Sequence, residues 1–68
     1  MTVHEIIILA RKYVMQGEAP MQSSAALCLK QAIEMYDEGF FDSAKNRAVK
    51  SLAYTVGIHH PDYVRASR

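Results

Sequence analysis

Three histidines, one cysteine and a run of carboxylates are the residues of this 68-residue chain whose types could do chemistry. His59 and His60 are neighbours, so they do not easily share one metal ion, and His4 lies at the far end of the chain. Metal sites ask for ligands at turn or helix spacing, such as His-x-x-x-His, and neither that spacing nor a carboxylate pair accompanies them. Asp62 is close enough in sequence to add a ligand, yet the stretch reads better as a turn in which His60 caps a following helix. Cys28 falls on an apolar helix face with no His or Asp placed to activate it. It behaves as a small buried hydrophobe. Ser23-Ser24 belongs to no Gly-x-Ser-x-Gly turn, and Glu34, Asp37 and Glu38 form a solvated acidic patch. The glycines stand isolated, so no phosphate-cradling loop exists. The expectation is a protein with no catalytic residues, no metal and no cofactor.

Two other sets of residues suit recognition. Lys45, Arg47, Lys50 and Tyr54 form a polar cluster, and Arg47, Lys50 and Tyr54 recur at spacings of three and four on one helix face. Arg and Tyr are residue types that anchor protein interfaces. The same trio also suits phosphates, with the cations on the backbone and the ring stacked on a base. Ile8, Met15 and Leu27 are apolar residues that fall outside the core stripes of their helices. Ile8 and Met15 lie seven residues apart on nearly the same line, which is what a contact with a second chain looks like.

Length and composition bound what these residues can serve. A chain this short buries only about 60% of the surface its unfolded form exposes. Small scaffolds make up the shortfall with disulfides, metals or partner chains. A single cysteine permits no internal disulfide, so self-association is the remaining route. Half the residues are hydrophobic and the net charge is +1, which fits a folded domain and gives no global field toward nucleic acid or an anionic membrane. The apolar run Ile6 to Ala10 is cut short by Arg11 and Lys12, and nothing approaches the roughly 20 apolar residues of a membrane span. A cytoplasmic protein with no membrane association is expected.

Punctuation along the chain predicts one domain, an all-α antiparallel bundle of three helices over about 3–16, 20–38 and 42–56, with a short helical turn over about 61–66. Thr2-x-x-Glu5 is a capping box, and Gly17 sits where a helix stops. The box and the helix formers after it outweigh the β-branched Ile6-Ile7-Ile8. Pro20 suits a first helical turn. At about 100° per residue, the second helix shows an apolar arc of half its circumference, including Ala25, Ala26, Cys28, Leu29, Ala32, Ile33, Met35 and Tyr36, so it is expected in the middle. Asp42 is expected to cap the third helix, with Phe40 and Phe41 pinning the turn. The small residues Ala44, Ala48 and Ser51 imply close approach to a neighbour, with Leu29, Ile33 and Tyr36 filling the space. Gly57 is expected to end this helix, with Ile58 folding back over its last turn.

The pattern Tyr36-x-x-Gly39-Phe40-Phe41-x-x-Ala44-x-x-x-Ala48-x-x-Ser51-Leu52 resembles the tetratricopeptide repeat. In that repeat a tyrosine closes the first helix, glycine and an aromatic make the turn, and small residues line the second. Gly57-Ile58-His59-His60-Pro61-Asp62 is similar to the joint between successive repeats. The resemblance covers about 25–64. The Ala-rich hairpin is also similar to that of the HEPN group, but Arg47 and His59 are too far apart for the spacing of its nucleases. The tetratricopeptide resemblance implies a packing and recognition unit without chemistry of its own. Such repeats usually stack in threes or more, and one copy implies that the neighbour is another chain.

The function expected on these grounds is a non-catalytic protein-interaction or assembly module, homo-oligomeric, burying Ile8, Met15 and Leu27 while Arg47, Lys50 and Tyr54 give polar specificity. The alternative is a small nucleic-acid-binding or phage/mobile-element-type regulatory protein.

Overall fold

The computed structural model describes residues 1–17 and 21–68; the helical start expected at Pro20 lies outside them. Four helices follow one another: α1 (Val3–Gln16), α2 (Gln22–Asp37), α3 (Phe41–Val56) and α4 (Pro61–Ser67). No strand occurs among the described residues, and the expected all-α class holds.

The joints follow from local chemistry. At the start of α1 the Glu5 amide donates to the Thr2 hydroxyl at 3.1 Å, and the Thr2 amide donates to the Glu5 carboxylate at 2.9 Å. The Thr2 amide, helped by its hydroxyl, holds the Glu5 carboxyl below its ordinary value. Gly17 closes the helix. The end of α2 is a Schellman motif: the Phe40 amide reaches the Met35 carbonyl at 2.8 Å, and the Gly39 amide reaches Tyr36 at 3.1 Å. That closure needs φ near +86° at Gly39, a conformation glycine adopts without a Cβ penalty.

The same motif corrects the expected cap of α3. With Phe40 fixed, its carbonyl accepts the Ala44 amide at 2.9 Å, so the helix begins at Phe41 and Asp42 is carried inside the first turn. There its carboxylate makes no cap hydrogen bond but faces the positive end of the helix dipole. Of the two phenylalanines only Phe41 pins the turn. Its ring meets Tyr36 edge-on at 5.1 Å, although both phenylalanines stay more than half exposed. At the other end of α3, Ile58 is mostly exposed rather than folded back. α4 then starts as expected: Pro61 occupies the first turn and His60 Nδ1 accepts the Asp62 amide at 3.1 Å.

Long-range pairs set the packing. Ser51 Oγ donates to the Ala25 carbonyl at one end of α2 and α3, and Tyr36 meets Phe41 at the other, so the two helices run antiparallel. His4 lies by Tyr36, and the Gln22 side-chain amide donates to the Val14 carbonyl, so α1 and α2 are antiparallel as well. Lys45 Nζ donates to the Arg68 carbonyl at 2.9 Å, which lays α4 back along α3.

The helix at the centre is α3, not α2. It packs extensively on both α1 and α2 and also meets α4, whereas α1 and α2 touch each other far less than either touches α3. The physical reason is the stripe Ala44, Ala48 and Ser51, all at 0% exposure, which lets neighbours approach α3 closely. Leu52 reaches the centre of the core with Ile6, Ala10, Leu29 and Ala32; burying a leucine or isoleucine there contributes about 1.5–3 kcal/mol. Cys28 is buried, as its apolar position implied. Ile33 is not part of the filling. It is 38% exposed, because the thin α1–α2 contact leaves its side of α2 uncovered.

Candidate interaction site

The weak contact between α1 and α2 leaves a cleft of about 250 Å³, lined by His4, Ile7, Ile8 and Arg11 from α1 and by Ile33, Tyr36 and Asp37 from α2. Its floor is apolar: Ile7 is nearly buried, while Ile8 and Ile33 are 54% and 38% exposed. Opposite charges stand on its two walls, Arg11 on one helix and Asp37 on the other. Among the described residues neither is in an ion pair. Of the residues expected at a partner contact, this cleft takes in Ile8. Met15, 73% exposed, continues the line of Ile8 two turns along α1 without lining the cleft. Ile33, Arg11 and Asp37 escaped the sequence reading, since Ile33 looked like filling for α3.

A second cleft, about 290 Å³, opens between α2 and α3 and is lined by Met35, Ser43, Asn46, Arg47 and Lys50. Ser43, Asn46, Arg47 and Lys50 recur at helical spacing and so share one face of α3. Arg47 is half-buried and Lys50 exposed. Tyr54, half-buried, follows one turn after Lys50 on the same face. Leu27 lies about 160° around α2 from Ala25, whose carbonyl faces α3, so it is turned away from this face. At 100° per residue Leu27 lies about 120° around α2 from Ile33, and it does not line the α1–α2 cleft. The structure therefore does not bring the expected residues together. Ile8 lines the α1–α2 cleft with Met15 beyond it, Arg47 and Lys50 line the α2–α3 cleft with Tyr54 one turn on, and Leu27 lines neither. Lys45 leaves the polar cluster to bind Arg68. Ser43 and Asn46 were missed, although their spacing from Arg47 and Lys50 was the signal.

A third cluster joins the ends of the fold. The Tyr13 hydroxyl donates to Asp62 Oδ2, Arg65 donates to Asp62 Oδ1 at 2.8 Å, and the His60 ring meets Tyr13 edge-on at 5.7 Å. The Tyr13 hydroxyl, and then Arg65, hold the Asp62 carboxyl below its ordinary value against the effect of burial. The same hydrogen bond pushes the Tyr13 phenol up, with desolvation and the carboxylate charge adding to it. His60 Nδ1 is engaged by the Asp62 amide. Among the described residues no three His, Cys, Asp or Glu side chains converge as metal ligands. No described helix is long and apolar enough to cross a membrane.

Comparison of the chain with family models, with curated proteins and with solved structures returned no match.

Proposed function

We propose that this chain is a non-catalytic protein-interaction module, tetratricopeptide-like in its α2–α3 hairpin, and that its partner at the α1–α2 cleft is a second copy of itself. One observation carries the reading: an apolar floor of Ile7, Ile8, Ile33 and Tyr36 lies between an arginine on one wall and an aspartate on the other. Such a surface is complementary to itself. A two-fold axis through the cleft sets Arg11 of one copy against Asp37 of the next, and the reverse, in the isologous manner of most homodimers. Apolar burial supplies the affinity and the two charge pairs fix the register.

Stable interfaces bury about 800 Å² per partner, roughly a fifth of this chain's 4395 Å² surface. The contact must therefore extend beyond the cleft, and Met15 extends the apolar line of α1 in the needed direction. Sedimentation equilibrium from low micromolar to millimolar concentration tests the proposal. A concentration-dependent rise from monomer to dimer mass is expected; a monomer throughout overturns it.

A further inference from the structure

We propose that the α2–α3 cleft is a binding site for the phosphate group of a small phosphomonoester, a nucleotide being the fitting class. Its polar lining consists of Ser43, Asn46, Arg47 and Lys50. Each of these side chains offers at least one donor, and the two cations offer only donors. Within the described chain none of the four makes a side-chain hydrogen bond or ion pair. No carboxylate lines the cleft; Met35 supplies its only apolar wall. Two cations facing one cavity, flanked by a hydroxyl and an amide, match a phosphate dianion with three acceptor oxygens. Arg47 presents the planar fork and Lys50 the mobile point charge.

Tyr54 decides what the phosphate is attached to. It lies one turn beyond Lys50 on the same helix face and is half-buried, outside the residues that line the cleft, and a tyrosine at that position offers a ring on which an aromatic base can stack. The volume of about 290 Å³ sits at the small end of ligand pockets. It holds a phosphate and leaves the rest of the ligand on the rim. The site shares no residue with the α1–α2 cleft, so it stands or falls separately from self-association.

The test is an amide-shift titration of the full chain with adenosine 5′-monophosphate, with adenosine, and with sodium chloride at matched ionic strength. The monophosphate is expected to give saturable shifts centred on residues 43–54, which adenosine and chloride do not reproduce. Arg47→Gln should weaken that binding about tenfold or more, the loss of one charge-assisted contact. Lys50→Gln, at an exposed position, should weaken it in the same direction and covers the case in which Arg47→Gln does not fold. Shifts no larger than those of chloride, shifts centred elsewhere, equal binding of adenosine, or unchanged binding by Lys50→Gln would each overturn the proposal.

Discussion

Tyr13 and Asp62, 49 positions apart in sequence, are joined by a hydrogen bond from phenol to carboxylate. It ties α4 to the far half of α1, two elements that make less contact with each other than either makes with α3. Asp62 is the hub of this latch, since its backbone amide caps onto His60 and its other oxygen takes Arg65. Without it, the short α4 has little beyond Ala66, Tyr63 and the Lys45–Arg68 contact to hold it down.

The latch predicts a particular response to pH. Asp62 titrates below its ordinary 3.8 when folded, so its stabilisation is present above that pH and lost as the pH falls through the lower folded value. Glu5, held below 4.5 by the capping box, adds to the same acid limb. Tyr13 titrates above its ordinary 10.0, so its stabilisation is present below that pH and lost as the pH rises through the folded value. In Tyr13→Phe the alkaline loss belonging to Tyr13 should vanish, and the acid loss should shrink to the parts that Glu5 and the remaining Arg65 and His60 contacts of Asp62 supply. Urea midpoints measured across pH report this; a Tyr13→Phe profile parallel to the wild type counts against the latch.

Among the described residues Ser51 is the one buried polar side chain, and it donates to the Ala25 carbonyl at 2.8 Å. Ser51→Ala should cost about 1 kcal/mol, since the carbonyl keeps its partner within α2. Ser51→Val should cost about 1–3 kcal/mol through overpacking of the buried α2–α3 contact. Denaturant unfolding of the pair gives the comparison, and a valine variant as stable as the alanine variant would show that α2 and α3 are not in tight contact there.

Gly57 has φ 88° and ψ 164°, a region essentially confined to glycine. A Cβ there would meet nothing within 4 Å, so any cost of Gly57→Ala is backbone strain alone. We expect about 1–3 kcal/mol, read from the thermal midpoint. An unchanged midpoint would mean that α3 and α4 rearrange their joint freely.

Much of this was legible in the sequence, and the exceptions have physical causes. Thr2, Glu5, Gly39, Gly57 and Pro61 act on residues within four positions of themselves, so the helix limits they set could be read locally. Asp42 misled because the Schellman closure at Phe40 took over the cap, and a backbone closure leaves no side-chain signature. Ile33 misled for a different reason. Periodicity says which face of α2 is apolar, but which neighbour covers that face depends on how closely each approaches α3. The same limit hid that Ile8 lines the α1–α2 cleft while Leu27 does not. Tyr13–Asp62 joins residues that no local pattern connects.

If Ile8 lies in the contact and Leu27 outside it, substitutions should separate them. Ile8→Glu and Ile33→Glu place a charge on the cleft floor, where burial against a second copy would be costly, and should weaken association by about tenfold or more. Leu27→Glu should leave association unchanged, because Leu27 lies on the other side of α2. All three positions are exposed, so helicity by circular dichroism should match the wild type. Dilution experiments that rank Leu27→Glu with Ile8→Glu would contradict the division.

The most direct test of self-association through the cleft is a charge exchange between its walls. Arg11→Glu alone sets like charges against Asp37 across the two-fold axis, and Asp37→Lys alone does the same against Arg11. Each variant should sediment as a monomer at concentrations where the wild type is dimeric. An equimolar mixture of the two restores both opposite-charge pairs, and it should sediment as a heterodimer. If either variant dimerises like the wild type, or the mixture stays monomeric, the second copy does not bind through Arg11 and Asp37.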